Sequence, residues 1–261
     1  MNSIITISNL KKSFGSNKVL KGVSLEVFKG EKLVIIGRSG CGKSVLLKHI
    51  VGLLKPDEGT VICYGKDVNL LSKSELFRQR LKFGYLFQGA ALFDSMTVGE
   101  NISLPLIEHF NLSKAEVSKK VAEKLAMVGL PGIERLKPSE LSGGMKKRVG
   151  LARAIITEPD IILYDEPTTG LDPIMSDAID ELVNHLTRAL KITTIVITHD
   201  MESVKKVADR VIMLHEGLVH FEGMPSDLFK KEDSVIKNFV TRQSAGDHEI
   251  ESEMQELARK I

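Results

Sequence analysis

Apolar and polar positions change period several times along this 261-residue chain. Residues 4–10 and 23–28 alternate between the two and predict short strands, with Lys18–Gly22 as the connector. Leu33–Ile36 is a compact apolar run met at once by glycines, the pattern of a buried strand entering a turn. Val45–Leu54 reads as a helix stopped near Pro56, Asp57–Gly59 as a turn and Val61–Tyr64 as a strand. Leu71–Arg80 predicts a polar helix and Phe83–Phe87 the next strand.

Farther on, Val117, Val121, Leu125 and Val128 recur at spacings of four, four and three, so Ser113–Val128 predicts a helix with one buried face. On its other face Glu116–Lys120 and Lys119–Glu123 are spaced to form ion pairs, worth about 0.2–0.5 kcal/mol each. Ile161–Tyr164 and Thr194–Thr198 predict strands, Ser176–Leu190 and Val204–Ala208 helices, and Val211–Leu214 with Leu218–Phe221 a hairpin about Glu216–Gly217. Strands alternating with helices predict an α/β fold whose core sheet is mostly parallel. Residues from about 72 to 150 are mainly helical in pattern and interrupt that alternation, which predicts an inserted helical subdomain. In 241–261, Ile250, Met254, Leu257 and Ile261 are spaced as on a small amphipathic helix, and five acids against three bases make this tail net negative.

Composition narrows the function. A net charge of +2, from 36 basic and 34 acidic residues, offers no basic stripe for a duplex; the absence of Trp and the presence of only three Tyr leave little for base stacking. No nucleic-acid partner is expected. Cys41 and Cys63 could form one bridge at most, and two Cys with seven scattered His assemble no zinc site. No apolar run approaches the ~18 residues of a membrane span, and the first residues lack the apolar core of a secretory signal, so a cytosolic chain is expected.

The candidate chemistry is phosphate chemistry. Gly37-Arg38-Ser39-Gly40-Cys41-Gly42-Lys43-Ser44 follows a predicted strand and precedes the helix that opens near Val45. Glycines at this spacing let successive N–H groups wrap phosphate oxygens, while the helix start adds positive potential. Lys43 can reach the β- and γ-phosphates and Ser44 can offer its hydroxyl to Mg²⁺. Cys41, beside Lys43 and a helix start, is expected to favour thiolate. The strand Ile161–Tyr164 ends in Asp165 and Glu166. Two buried carboxylates ask for a cation: Asp165 is placed to hold Mg²⁺, and Glu166 to polarise an attacking water. Gln88, after Phe83–Phe87, can accept from metal-bound water, and His199, after Thr194–Thr198, can bond a γ-phosphate oxygen. Ser142, Gly143 and Gly144 precede a basic helix with Lys146, Lys147, Arg148 and Arg153. They make a second phosphate-binding surface, which suggests a nucleotide held by another copy and hence an ATP-dependent homodimer.

With these residues in order, the chain resembles the ATPase subunit of an ATP-binding cassette (ABC) transporter across about residues 3–240. Gly37–Ser44 resembles the Walker A motif, Gln88 the Q-loop, Leu141–Met145 the signature, Asp165 and Glu166 Walker B with its catalytic glutamate, Thr169–Asp172 the D-loop and His199 the switch histidine. Phe14 falls where this family stacks an aromatic ring on adenine. Within the family, Lys43–Lys48, Leu86–Phe93 and Ser142–Val149, with Met145 in the signature, are similar to the MlaF-like subgroup of Mce-associated lipid-transport ATPases.

The resemblance implies a P-loop NTPase of ABC type with N-terminal antiparallel β elements, a nucleotide-binding domain at 1–240 and a short tail at 241–261. It implies ATP and Mg²⁺ as cofactors and a membrane permease whose coupling helix meets Gln88–Thr97, with Leu92, Phe93 and Met96 as apolar contacts. It further implies an Mce-domain lipid shuttle, an accessory cytoplasmic subunit, and a peripheral position on the cytoplasmic face of the inner membrane. Another ABC importer or exporter, or a soluble cassette that remodels a protein or nucleic-acid assembly, is the alternative. Only 122 residues separate Lys43 from Asp165, with no sustained heptads, which speaks against the long coiled coil of DNA-repair cassettes.

Overall fold

The structure, a computed structural model, describes residues 2–241. The chain begins with a hairpin of β1 (Ser3–Phe14) and β2 (Asn17–Phe28), extended by β4 (Glu58–Cys63) and β5 (Lys66–Asp67) into an antiparallel sheet of order β2-β1-β4-β5. A second sheet contains β3 (Lys32–Ile36), β6 (Phe83–Leu86), β7 (Ile161–Asp165), β8 (Thr193–Ile197), β9 (Arg210–His215) and β10 (Leu218–Gly223), in the order β10-β9-β3-β8-β7-β6. All its neighbours pair in parallel except β10 on β9. Around the sheets lie α1 (Lys43–Ile50), α2 (Lys73–Arg80), α3 (Val98–His109), α4 (Lys114–Met127), α5 (Gly143–Ile155), α6 (Pro173–Leu190), α7 (Met201–Val207) and α8 (Pro225–Lys230). A helix at 234–241 closes the described chain. No helix among the described residues is long and apolar enough to cross a membrane.

The core strands read as unbroken apolar runs because both faces of the sheet are covered. Leu33, Ile35, Leu163 and Ile197 point into the cluster shared with α1 and the antiparallel sheet. Their neighbours Val34, Ile36, Tyr164 and Val196 point into the cluster beneath the other helices. Each strand end is therefore fixed from both sides, and it is from the ends of β3, β6, β7 and β8 that the polar loops emerge.

Several elements depart from the sequence expectation. Lys18–Gly22 is not a connector but the first half of β2; the turn is Gly15–Ser16, with Gly15 at φ +60°, and Lys21 is held by its N–H to the Gly217 carbonyl at 2.8 Å. The first helix begins two residues before Val45 and ends at Ile50, where Gly52 turns the chain at φ +67°. β4 already begins at Glu58, inside the expected Asp57–Gly59 turn. The α4 pairs rearrange. Glu116 closes a capping box with Ser113, and Lys120 and Lys124 converge on Glu158 at 3.4 and 3.2 Å, a nearby acid the local spacing could not reveal. α3 was unannounced because Pro105 interrupts its pattern; a Thr97–Glu100 capping box starts it, and buried Val98, Ile102 and Leu106 anchor it. Most of the tail expected to be amphipathic lies outside the described residues.

Candidate active site

The loop from Gly37 to Gly42 connects β3 to α1. Gly37, Gly40 and Gly42 have φ of +147°, +79° and +103°, conformations that favour glycine. Gly37 is also enclosed: a Cβ there would lie 2.3 Å from the Leu214 carbonyl oxygen and 2.7 Å from Cys41 Sγ. Gly40 faces open space, as a loop wrapping an external group requires. Lys43 is buried with its Nζ donating to the carbonyls of Gly37 and Arg38 at 2.7 and 3.1 Å, which folds the ammonium back over the loop's concavity.

A cleft of about 360 Å³ opens over this loop, lined by Ser39, Gly40, Gly42, Lys43, Ser44 and Val45, with Phe14 and Val19 on one side and Gln88 and Glu166 on another. Phe14 ends β1 and is 48% exposed, an available ring rather than a core residue. Ser142, Gly143, Gly144 and Asp172 do not line this cleft. Ser142 caps α5, accepting from the Met145 N–H at 3.3 Å, and Asp172 caps α6, accepting from the Met175 N–H at 2.9 Å. Ser142, Gly143 and Asp172 are solvent-exposed, and Ile174 beside Asp172 is 81% exposed.

Asp165, at the end of β7, receives Ser44 Oγ at 3.2 Å and Tyr85 Oη at 3.3 Å on its two oxygens. Burial pushes its carboxyl up from the ordinary value and the adjacent Glu166 adds to this; the two hydrogen bonds and Lys43 pull the other way. Glu166 turns out of the strand at φ +50°, an unusual backbone for a non-glycine residue and characteristic of functional sites. Gln88 Nε2 and Thr169 Oγ1 both donate to its Oε2 at 3.0 Å, and His199 Nδ1 lies 3.5 Å from its Oε1. The Gln88 amide nitrogen is thus engaged with Glu166.

Sequence reasoning missed the supports of this cluster. Lys147 of α5, buried, donates to the carbonyls of Gln88 and of Glu166, the latter at 3.3 Å. Burial pulls its ammonium down, opposed by Glu166 and Asp165. Arg153, also on α5, grips the carbonyls of Ala90 and Ala91 at 2.6 and 2.8 Å, where both alanines have positive φ. One helix therefore holds the Gln88 loop in place while carrying Ser142 at its start. Within the sequence these lysine and arginine residues look like any basic helix face; only the fold reveals their targets.

Cys41 contradicts its expectation. Burial raises its thiol above the ordinary value, outweighing Lys43 and the backbone N–H groups. Its side chain is half-buried, lying beside Gly37 and packed against the apolar cluster of α1 and the antiparallel sheet. Maleimide labelling of the folded chain at pH 7 is therefore expected to run well below the rate of a free thiol, and to accelerate on unfolding; labelling at the free-thiol rate in the native chain would contradict this.

A glycine-rich loop between a parallel strand and a helix, with a strand-end aspartate bonded to the loop serine, defines a P-loop nucleoside triphosphatase. The "ABC transporter" family profile matches residues 20–169. The chain is 38% identical over 259 residues to the intermembrane phospholipid transport system ATP-binding protein MlaF of Haemophilus influenzae, covering 99% of this chain and 98% of that one. It is 40% identical over 242 residues to a probable ribonucleotide transport ATP-binding protein, mkl, of Mycobacterium tuberculosis, covering 93% and 67%. Among solved structures, a dimeric post-hydrolysis state of the ATP-binding cassette MJ0796 bound to ADP and Pi superposes at TM-score 0.77 with 36% identity, over 85% of this chain and 98% of that one. The chain belongs to the ABC transporter family and is its ATPase, the subunit that binds and hydrolyses ATP to drive a transporter.

Proposed function

We propose that this ATPase works as a homodimer with two composite sites and drives a membrane permease that moves phospholipid. In each site Phe14 stacks on adenine, and Gly37–Val45 with Lys43 holds the phosphates. The single observation behind the composite site is the separation of its parts: the P-loop cleft lacks Ser142, Gly143, Gly144 and Asp172, and of these Ser142, Gly143 and Asp172 stand exposed on the starts of α5 and α6. A second copy can bring them over the nucleotide. The dimeric, ADP- and Pi-bound cassette described above supports the same arrangement.

Ser44 and Asp165 fit Mg²⁺, a hard cation that takes oxygen ligands: their oxygens are 3.2 Å apart, and the half-buried carboxyl gains from a cation. Among the described residues no group of three or more His, Cys, Asp or Glu could hold a metal, so the remaining ligands are nucleotide and water oxygens, with the Gln88 amide able to join after leaving Glu166. When bound, the ion neutralises phosphate charge. Glu166 is the base that takes a proton from the attacking water; His199 orients water and γ-phosphate. Because α5 grips the Gln88 loop through Lys147 and Arg153, docking of Ser142 on the partner's nucleotide moves that loop. The permease meets the surface beside it. There Phe93 is 50% exposed, while Leu92 is half-buried against the core and Met96 half-exposed, so Phe93 is the main apolar contact of the three.

The phospholipid reading rests on the near end-to-end match to MlaF and on the motifs shared with that subgroup. It brings an Mce-domain shuttle, an accessory cytoplasmic subunit and peripheral attachment at the inner membrane. Mild detergent extraction of the tagged full chain from its native membranes tests it. A multi-span permease, an Mce-domain protein and bound phospholipid are expected to co-purify. Ribonucleotide as cargo would overturn the lipid assignment, and a protein-only complex without a permease would overturn the transport coupling.

A further inference from the structure

Two helices begin shortly after residues that touch Glu166: α6, capped by Asp172, follows Thr169, and α7, capped by Asp200, follows His199 immediately. A buried polar chain joins them. Asp180 on α6 is 3% exposed and Ser203 on α7 is 2% exposed. Ser203 Oγ lies 2.7 Å from Asp180 Oδ2 and 3.2 Å from Asp200 Oδ2. Asp200 in turn accepts the N–H groups of Glu202 and Ser203 on its other oxygen, at 2.8 and 3.3 Å, and its own N–H donates to Thr198 Oγ1 at 3.0 Å. One hydroxyl hydrogen thus faces two carboxyl groups, and what Asp180 does with it decides how Asp200 is held.

We propose that Asp180 is a positioning residue for ATP hydrolysis, acting through Ser203 on Asp200 and so fixing His199 against Glu166. The inference rests on the role given to His199 above. Ser203 shares its hydrogen between the two carboxylates, and Asp180, at the shorter distance, takes the larger part of it and sets the serine rotamer. Ser203 then defines the resting place of the Asp200 carboxylate, and the Asp200 cap sets the backbone that presents His199, 3.5 Å from Glu166. Because α6 begins at the exposed Asp172, the same chain connects the surface facing the partner copy to the histidine. Stability alone does not account for Asp180. Burial pushes its carboxyl up to about 6, with Ser203 pulling down, Asp200 and Asp177 pushing up and Lys206 pulling down. A carboxyl raised on folding leaves the native state fully penalised above its folded value, and the penalty fades as pH falls through about 6 toward the unfolded value. At neutral pH the ionised carboxylate at this place therefore costs the folded state stability.

Steady-state hydrolysis by the full-length chain decides the matter. Asp180→Ala is expected to lower kcat roughly tenfold with the KM for ATP nearly unchanged, as for a displaced catalytic group. Asp180→Asn, whose carbonyl can still accept from Ser203, is expected to keep kcat while raising Tm at pH 8. Neither Asp180→Ala nor Ser203→Ala should lower kcat further once His199 is alanine, because all three changes break one unit. Asp177→Asn removes the neighbouring exposed ion pair with Lys206 and should leave kcat unchanged. Should Asp180→Ala not fold, Ser203→Ala keeps both carboxyls and carries the same expectations.

Wild-type kcat in the alanine variants, equal losses in Asp180→Asn and Asp180→Ala, a lower Tm for Asp180→Asn at pH 8, or a loss in Asp177→Asn overturns the proposal. An additive loss on top of an impaired His199→Ala overturns the relay alone. Wild-type hydrolysis by His199→Ala overturns the role of His199, and the relay with it.

Discussion

Glu166→Gln is expected to retain MgATP, to accumulate as a dimer and to lose at least about 10²-fold in hydrolysis, the scale of a missing general base. The amide is isosteric, and its carbonyl can still accept from Gln88 and Thr169 where Oε2 does, at 3.0 Å. Its nitrogen can face His199 Nδ1, so the cluster stays assembled and the fold is not perturbed. What disappears is the acceptor for a proton from water. If nucleotide closes the dimer and hydrolysis opens it, blocking the second step makes the closed dimer the resting state. Size-exclusion chromatography with and without MgATP, alongside phosphate release, reads both effects. A monomeric variant with unchanged phosphate release rejects Glu166 as the base.

How far the sequence reached follows from what kind of signal each part leaves. β3, β7 and β8 were legible because burial on both faces writes an uninterrupted apolar run, and the loops at their ends carry motifs whose spacing is dictated by phosphate geometry. The first hairpin was legible in part: its turn, Gly15–Ser16, is short and plain, whereas Lys18–Gly22 looks polar because β2 packs one face only. α3 escaped because a proline within a helix reads as a stop when tertiary packing is unseen. At the site, residues that touch phosphate or water announce themselves by type and order. Those that hold them in place do not. Lys147 and Tyr85 act through a carbonyl and a carboxylate distant in sequence, and Cys41 was misjudged since local neighbours favour thiolate while burial, which decides, is a property of the fold.

Trapped nucleotide in mixed dimers is the second large effect. In a Glu166→Gln background, each closed dimer is expected to hold two nucleotides. Adding Lys43→Ala removes the phosphate clamp, and adding Ser142→Arg obstructs the exposed start of α5, so either variant alone should trap none. A dimer with one chain of each kind should trap one. In a two-fold dimer the altered P-loop of the first chain faces the altered α5 of the second, concentrating both defects in one site and leaving the other whole. Counting nucleotide per tandem-affinity-purified mixed dimer keeps the result independent of any coupling between the two hydrolysis events. If each chain instead completed its own site with its own Ser142, both sites in the mixed dimer would be defective and the count would stay at zero. The exposure of Ser142 and Gly143, outside the cleft that holds Lys43 and Glu166, is what makes one the expected number.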